Sequence, residues 1–332
     1  MRNVTLKQLA ERLNLSTSTV SRALRDSHEI GQETKNRVKA LAMKLKFQPN
    51  PHASSLRQHK SNTIAILIPE IENTFFSQII NGVELVARSK GYHVLIYLTH
   101  EDCTREIELL KILKNGRADG VMISVSNTTK NTKHLETFQK DGIPLVLFDR
   151  TCDELNAPKV MTDDVEIAMV ATEKLIKTGC RRIAFISMSA NLSITKRRTR
   201  GYRQALQKHD LQKAAWVIEC DGTDFQNKSK IKKAFASSMR PDGIFTATEK
   251  LALLTYEVCR ENKIVLPPLF RMVSFSNLPA AALFDPPLST IVQPAFEMGK
   301  EAAGILFKLI EKKILLPTEK RVVIPSILVE RS

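Results

Sequence analysis

Thr17, Ser18 and Ser21 put three short hydroxyl side chains close together, and Arg22 adds a guanidinium directly after them. Short hydroxyls let a helix approach a base edge closely. Arginine can hold the O6 and N7 of guanine through two parallel hydrogen bonds. The same residues also suit a solvated helix face, so their neighbours must decide. A second cluster, Asn50-Pro51-His52-Ala53-Ser54-Ser55-Leu56-Arg57, carries one apolar side chain among small polar ones. Leu56 there could wedge between base steps in a minor groove or pack on the domain that follows. Other chemistries lack their motifs: there is no GxxxxGK[ST] loop, GxGxxG turn, GxSxG elbow or HExxH helix. The adjacent Asp163-Asp164 pair reads as a turn or helix cap, and no histidine has metal-ligand spacing with a cysteine. No metal and no cofactor is expected.

The elements around the first cluster place it. Thr5 and Gln8 have the spacing of a capping box. Leu6, Leu9, Ala10 and Leu13 then form an i, i+3, i+4, i+7 stripe. Asn14-Leu15 makes a turn, and Ser16 N-caps a second helix with Val20, Ala23 and Leu24 facing inward. Thr17, Ser18, Ser21 and Arg22 are left facing out. A third helix is predicted over about 33–45, with Val38, Leu41, Ala42 and Leu45 closing a three-helix core. The prolines after Phe47 end it. Of the net charge of +15, the first 60 residues carry +8, the footprint of a polyanionic partner.

The run Leu6…Ala10…Leu15-Ser16-x-x-Thr19-Val20-Ser21-Arg22-x-Leu24, followed by Phe47-x-Pro49-Asn50 and Ala53-x-Ser55-Leu56, resembles the lactose-repressor (LacI/GalR) family. The likeness continues through Asn73-x-Phe75-Phe76, Phe148-Asp149-Arg150, Arg198-x-x-Gly201-Tyr202 and Ser289-Thr290-Ile291-x-Gln293-Pro294 to Glu330-Arg331-Ser332, and so spans essentially the whole chain. It implies a transcriptional regulator, most often a repressor, that binds a pseudo-palindromic operator in double-stranded DNA as a homodimer. It also implies a small-molecule effector, a sugar or sugar derivative, and no catalysis. DNA contacts would come from Thr5, Ser16, Thr17, Ser18, Ser21 and Arg22, and from Asn50, His52, Ala53, Ser55 and Leu56. Ser54 stands where many members carry arginine, which removes a phosphate contact near the hinge. The extra tetramerising helix of the lactose repressor has no counterpart before the last residue, Ser332, so a dimer is expected.

From Thr63 onward short apolar runs alternate with amphipathic helices, the pattern of parallel sheets covered on both faces. The expected fold is an all-α helix–turn–helix head joined to an α/β, two-lobed, periplasmic-binding-protein-like core. The domains would be a head (1–48), a hinge (49–62), an N-terminal lobe (63–160 with 293–320) and a C-terminal lobe (161–292 with 321–332). The chain would cross between lobes near 160, 292 and 320. A ligand crevice is expected at the carboxyl ends of the strands. Phe75 and Phe76 suit either its apolar wall or the core. Asp149 suits a hydroxyl acceptor or a loop cap. Arg198 matches the family's effector-binding arginine, but its setting, Lys196-Arg197-Arg198-x-Arg200, also reads as a solvated charge cluster. Thr248-Glu249 stands where many sugar-responsive members have Asn-Asp, and Phe275-Ser276-Asn277 where they have Phe-Asp. Losing a carboxylate at Ser276 removes an acceptor, so the effector is not readable by analogy: a less polyhydroxylated or anionic ligand, contacted by Thr248 and Ser276 with the rest, and an effector-free repressor both stay open.

Composition narrows the classes further. No apolar run approaches the ~18–20 residues needed to span a bilayer, so no membrane partner is expected. Met1–Gln8 passes straight into an amphipathic pattern rather than a signal peptide, so a cytoplasmic, nucleoid-associated protein is expected. Five scattered cysteines without a CxxC pair read as reduced thiols. A cytosolic solute-binding protein, or a sugar-processing enzyme fused to a DNA-binding head, is the alternative. The first gives no reason for the basic start, and the second needs a glycine-rich phosphate loop.

Overall fold

Caps and apolar stripes set the first three helices. In the computed structural model, which describes residues 4–45, 47, 60–72, 74–264 and 271–331, these are α1 (Leu6–Leu13), α2 (Thr17–Leu24) and α3 (Gln32–Lys44). The Thr5–Gln8 capping box forms in both directions. Asn14 takes the left-handed turn at φ 51°, and the Ser16 hydroxyl accepts from the Thr19 amide at 3.1 Å. Leu9, Ala10, Val20, Ala23, Val38 and Ala42 form the buried core of this unit. One buried cation was not legible in the pattern. Lys35 donates to the Asp26 carbonyl at 3.2 Å and lies 3.4 Å from its carboxylate. Hydrogen bonds from Lys39 and Lys35 hold that carboxyl below the usual range.

The chain forms two compact units, Met1–Ser61 and Asn62–Ser332. The second contains two six-stranded sheets. The first sheet has the order β11-β5-β4-β3-β1-β2 and is parallel throughout. Its strands are β1 (Thr63–Ile68), β2 (His93–Leu98), β3 (Gly120–Ile123), β4 (Leu145–Phe148), β5 (Lys159–Thr162) and β11 (Arg321–Ile324). On one face lie α4 (Thr74–Ser89) and α11 (Ala295–Ile310). On the other lie α5 (Cys103–Lys114) and α6 (Lys133–Lys140). The second sheet runs β12-β10-β9-β8-β6-β7. It comprises β6 (Ile183–Ser187), β7 (Trp216–Glu219), β8 (Gly243–Thr246), β9 (Arg271–Phe275), β10 (Ser289–Val292) and β12 (Ile327–Val329). Only β12 pairs antiparallel among the described strands. Its helices are α7 (Asp164–Lys177), α8 (Ser193–Lys208), α9 (Asp224–Ala236) and α10 (Glu249–Glu261).

Strand pairing gives the crossover positions. β5 extends to Thr162 in the first sheet, so the first passage follows it at Asp163. The second follows Val292, at Gln293-Pro294. The third falls at Pro325-Ser326, beyond 320, because Arg321–Ile324 still pairs with β5. Neither α6 nor β5 stood out in the sequence. α6 buries only Leu135 and Phe138, and β5 is a four-residue strand opening on lysine.

Glycine brings the helix pairs beside the cleft into backbone contact. A Cβ at Gly82 of α4 would run into the Phe296 carbonyl, and one at Gly299 of α11 into the Ile79 carbonyl. In the second lobe a Cβ at Gly201 of α8 would strike the Val165 carbonyl of α7.

Candidate functional site

In the head, α2 turns Val20 and Ala23 inward, fully buried, and leaves Ser18 and Arg22 exposed. Thr17 and Ser21 are half-buried at the edges of that face. Ser16 is doubly engaged, as cap of α2 and as partner of the Ser18 hydroxyl at 2.7 Å. Arg22 pairs with Glu29 at 2.7 Å while both stay more than half exposed, so its guanidinium exchanges that partner at little cost. Thr5 serves as the cap of α1. Asn50, His52, Ala53, Ser55 and Leu56, with the rest of the predicted hinge, lie outside the described residues.

In the second unit, all six residues expected to contact an effector line one cleft between the sheets. Phe75, Phe76, Asp149, Arg198, Thr248 and Ser276 meet there with Arg150, Met188, Ile194, Phe275, Asn277 and Gln293. Phe75 and Phe76 meet both expectations, since they belong to the first lobe's core and also wall the cleft. Asp149 directly follows β4 with a left-handed φ of 57°, which a short polar side chain tolerates. Burial raises its carboxyl pKa, against the pull of Arg198 and Arg150.

Arg198 is no solvated charge. It is 2% exposed, its Nε donates to Asp164 at 2.8 Å, and its Nη1 donates to the Ala247 carbonyl at 2.6 Å. Its guanidinium stacks on the Phe275 ring with 3.5 Å to the centroid. The signal was in the sequence. Ile194, Arg198, Gly201, Tyr202 and Ala205 share one helical face, and all are buried. Lys196 and Arg200, an i, i+4 pair, stay exposed on another face.

Ser276, where the carboxylate is missing, is bonded to an acid from another element. Glu249 accepts from the Ser276 hydroxyl at 2.7 Å and from the Thr74 hydroxyl of the opposite lobe at 3.2 Å. Glu249 stands in the first turn of α10, which Thr248 caps. Other hydrogen bonds also cross between lobes. Asn277 donates to Gln78 at 2.8 Å, the Thr151 amide to Ser193 at 3.0 Å, and Arg197 to the Asp149 carbonyl at 3.3 Å. With these bonds formed the cleft keeps a cavity of about 30 Å³, room for water and too small for a sugar.

The sequence also missed a cluster of Cys103, Glu106 and His134, whose metal-ligating atoms lie within 4.8 Å of one another. Glu106 is fully buried there. It accepts from the Ser126 amide and hydroxyl at 2.8 and 2.9 Å and from Thr129 at 3.2 Å, with His134 Nε2 2.6 Å away. Burial pushes the Cys103 thiol up. The cluster is explained as an anchor for the loop after β3.

Comparison with known proteins fits this arrangement. Residues 61–330 match the family model described as periplasmic binding proteins and sugar binding domain of LacI family, and residues 5–50 match bacterial regulatory proteins, lacI family. The chain belongs to the LacI family. This LacI-family protein is 32% identical to the ribose operon repressor of Bacillus subtilis (strain 168) over 316 residues, 95% of this chain and 94% of that one. It is 29% identical to the transcriptional repressor CytR of Escherichia coli (strain K12) over 91% of this chain and 88% of that one. The crystal structure of the lac repressor dimer bound to operator and the anti-inducer ONPF superposes with a TM-score of 0.84. That match is at 19% identity, over 99% of this chain and 98% of the other, and reflects the shared fold.

Proposed function

We propose that this LacI-family protein is a transcriptional regulator, a repressor in the manner its relatives' names describe, whose affinity for a pseudo-palindromic operator is set by a small molecule in the inter-lobe cleft. The observation that carries this reading is the convergence of six residues, drawn from positions 75 to 276, on one cleft bridged by hydrogen bonds between its lobes. A ligand that binds one lobe arrangement better than another shifts their equilibrium, and that is sufficient for regulation.

In this reading Thr17, Ser18, Ser21 and Arg22 enter the major groove, with Thr5 and Ser16 at the helix starts beside the phosphates. Asn50, His52, Ala53 and Ser55 follow the minor groove, where Leu56 wedges the central step. The protein acts as a cytoplasmic homodimer and catalyses no reaction. Leu95 and Ile96, exposed on edge strand β2, support a second copy as partner. The effector is a sugar or sugar derivative, and Asp149 and Arg198, which line the cleft, are the groups that sort its hydroxyls. Ribose is the first compound to try, given the relative's name.

Selection from random duplexes, followed by titration against salt with and without ribose and related sugars, tests the proposal. The expected result is a strong duplex preference with a steep log–log salt slope and an affinity that changes with one sugar. Absence of any duplex preference overturns it. Sugar binding without effect on DNA, or turnover of the sugar, would instead favour a solute-binding protein or an enzyme. Leu56→Ala is expected to reduce DNA bending while the core stays folded.

A further inference from the structure

The run Lys196-Arg197-Arg198-x-Arg200 is only partly used by the cleft. Lys196, Arg197 and Arg200 line a separate recess of about 510 Å³, which shares no lining residue with the cleft. Its opposite wall is the loop after β3, carrying Thr129 and Lys130, together with Thr151 to Glu154 after β4. Four cations, Lys130, Lys196, Arg197 and Arg200, thus face two exposed carboxylates, Asp153 and Glu154.

Three features make this more than a basic surface. The Nη1 of Arg197 is buried with no hydrogen-bond partner, while its Nε and Nη2 bond Asp164 and the Asp149 carbonyl. The start of α8 lies in the same wall, with no side-chain cap and no acidic residue in its first turn. Cations near that end oppose the helix dipole, and an anion there would relieve both. Lys130, Lys196 and Arg200 make no ion pair among the described residues. The loop bearing Lys130 is not left to solvent either, because buried Glu106 holds Ser126 and Thr129 directly before it.

We propose that this recess binds the phosphate group of a phosphorylated small molecule, held between Lys130 of the first lobe and Lys196, Arg197 and Arg200 of the second. Guanidinium and ammonium donors form charge-assisted bonds to phosphate oxygens, and the recess has the volume of a small-molecule site. A ligand bridging the two lobes there adds a second chemical input, distinct from the sugar cleft and independent of what the cleft binds.

Calorimetric titration of the full chain with inorganic phosphate, and with ribose 5-phosphate beside ribose, at constant ionic strength, tests this. Saturable binding of phosphate is expected, with ribose 5-phosphate tighter than phosphate. The double variant Lys196→Ala/Arg200→Ala, at two exposed positions, should lower affinity for both about tenfold or more. A second double variant, Lys213→Ala/Lys232→Ala, removes the same charge elsewhere and should bind as the parent does. Thermal unfolding checks that both variants fold. Absence of saturable phosphate binding, or an equal loss in the two double variants, overturns the proposal.

Discussion

The two spaces between the lobes differ in what their charges are doing. In the cleft, Arg198 is committed to Asp164 and Ala247, Arg150 to Glu101, and Glu249 to Ser276 and Thr74. In the recess, Lys130, Lys196 and Arg200 stand exposed without an ion pair among the described residues. The cavities follow suit, about 30 Å³ against about 510 Å³. A ligand reaches the cleft only by exchanging existing bonds for its own, so binding there is tied to movement of the lobes. A ligand in the recess has no ion pair of Lys130, Lys196 or Arg200 to break.

The contrast predicts a graded series of variants. Arg198→Ala should have the largest effect, costing about 3–5 kcal/mol of core stability in chemical unfolding, because it leaves Asp164 buried with one partner fewer. A loss below about 1 kcal/mol would mean that the pair is not held as described. Tyr202→Phe removes a hydroxyl that donates to the Ile183 carbonyl at 2.7 Å and accepts from the Trp216 amide at 2.9 Å. It should cost about 1–3 kcal/mol with no change in ligand binding. Glu249→Gln should cost about 1 kcal/mol and loosen the bridge to Thr74, visible as a larger radius of gyration in small-angle scattering. An unchanged radius would remove Glu249 from control of closure. Lys196→Ala should alter stability by no more than about 0.5 kcal/mol. Arg22→Ala in the head should leave core unfolding untouched while weakening operator binding by about 1–3 kcal/mol.

The sequence revealed most where one signal dominated. The Thr5–Gln8 box, the Ser16 cap and the all-apolar run at Ile64–Ile68 appear where the residues place them. Residues 120–123 form β3 as read. Short elements such as β5 were lost because four residues opening on a lysine carry too little pattern to separate strand from loop. The six cleft residues were found by likeness to a family, but their energetic roles were not. That Arg198 is buried depends on Asp164, 34 positions away and on another helix. The bond between Ser276 and Glu249 joins the end of one strand to the first turn of a helix 27 positions away. Such pairings are invisible to position-by-position comparison, which records only that an acid was lost.

The glycine contacts at Gly82, Gly299 and Gly201 bear on how the molecule can move. α4 packs on α11, and α7 on α8, at backbone distance, with no room for a side chain at these glycines. Each lobe is therefore stiff beside the cleft, and compliance is concentrated in three short links at Asp163, Gln293-Pro294 and Pro325-Ser326. These links are themselves cross-braced: Gln293 donates to Thr162 at 3.3 Å, and the Ser326 amide donates to Asp163 at 2.8 Å. Two rigid plates on a braced triple hinge have few modes of relative motion. A small displacement at the cleft is therefore expected to reach the far ends of the lobes as rotation.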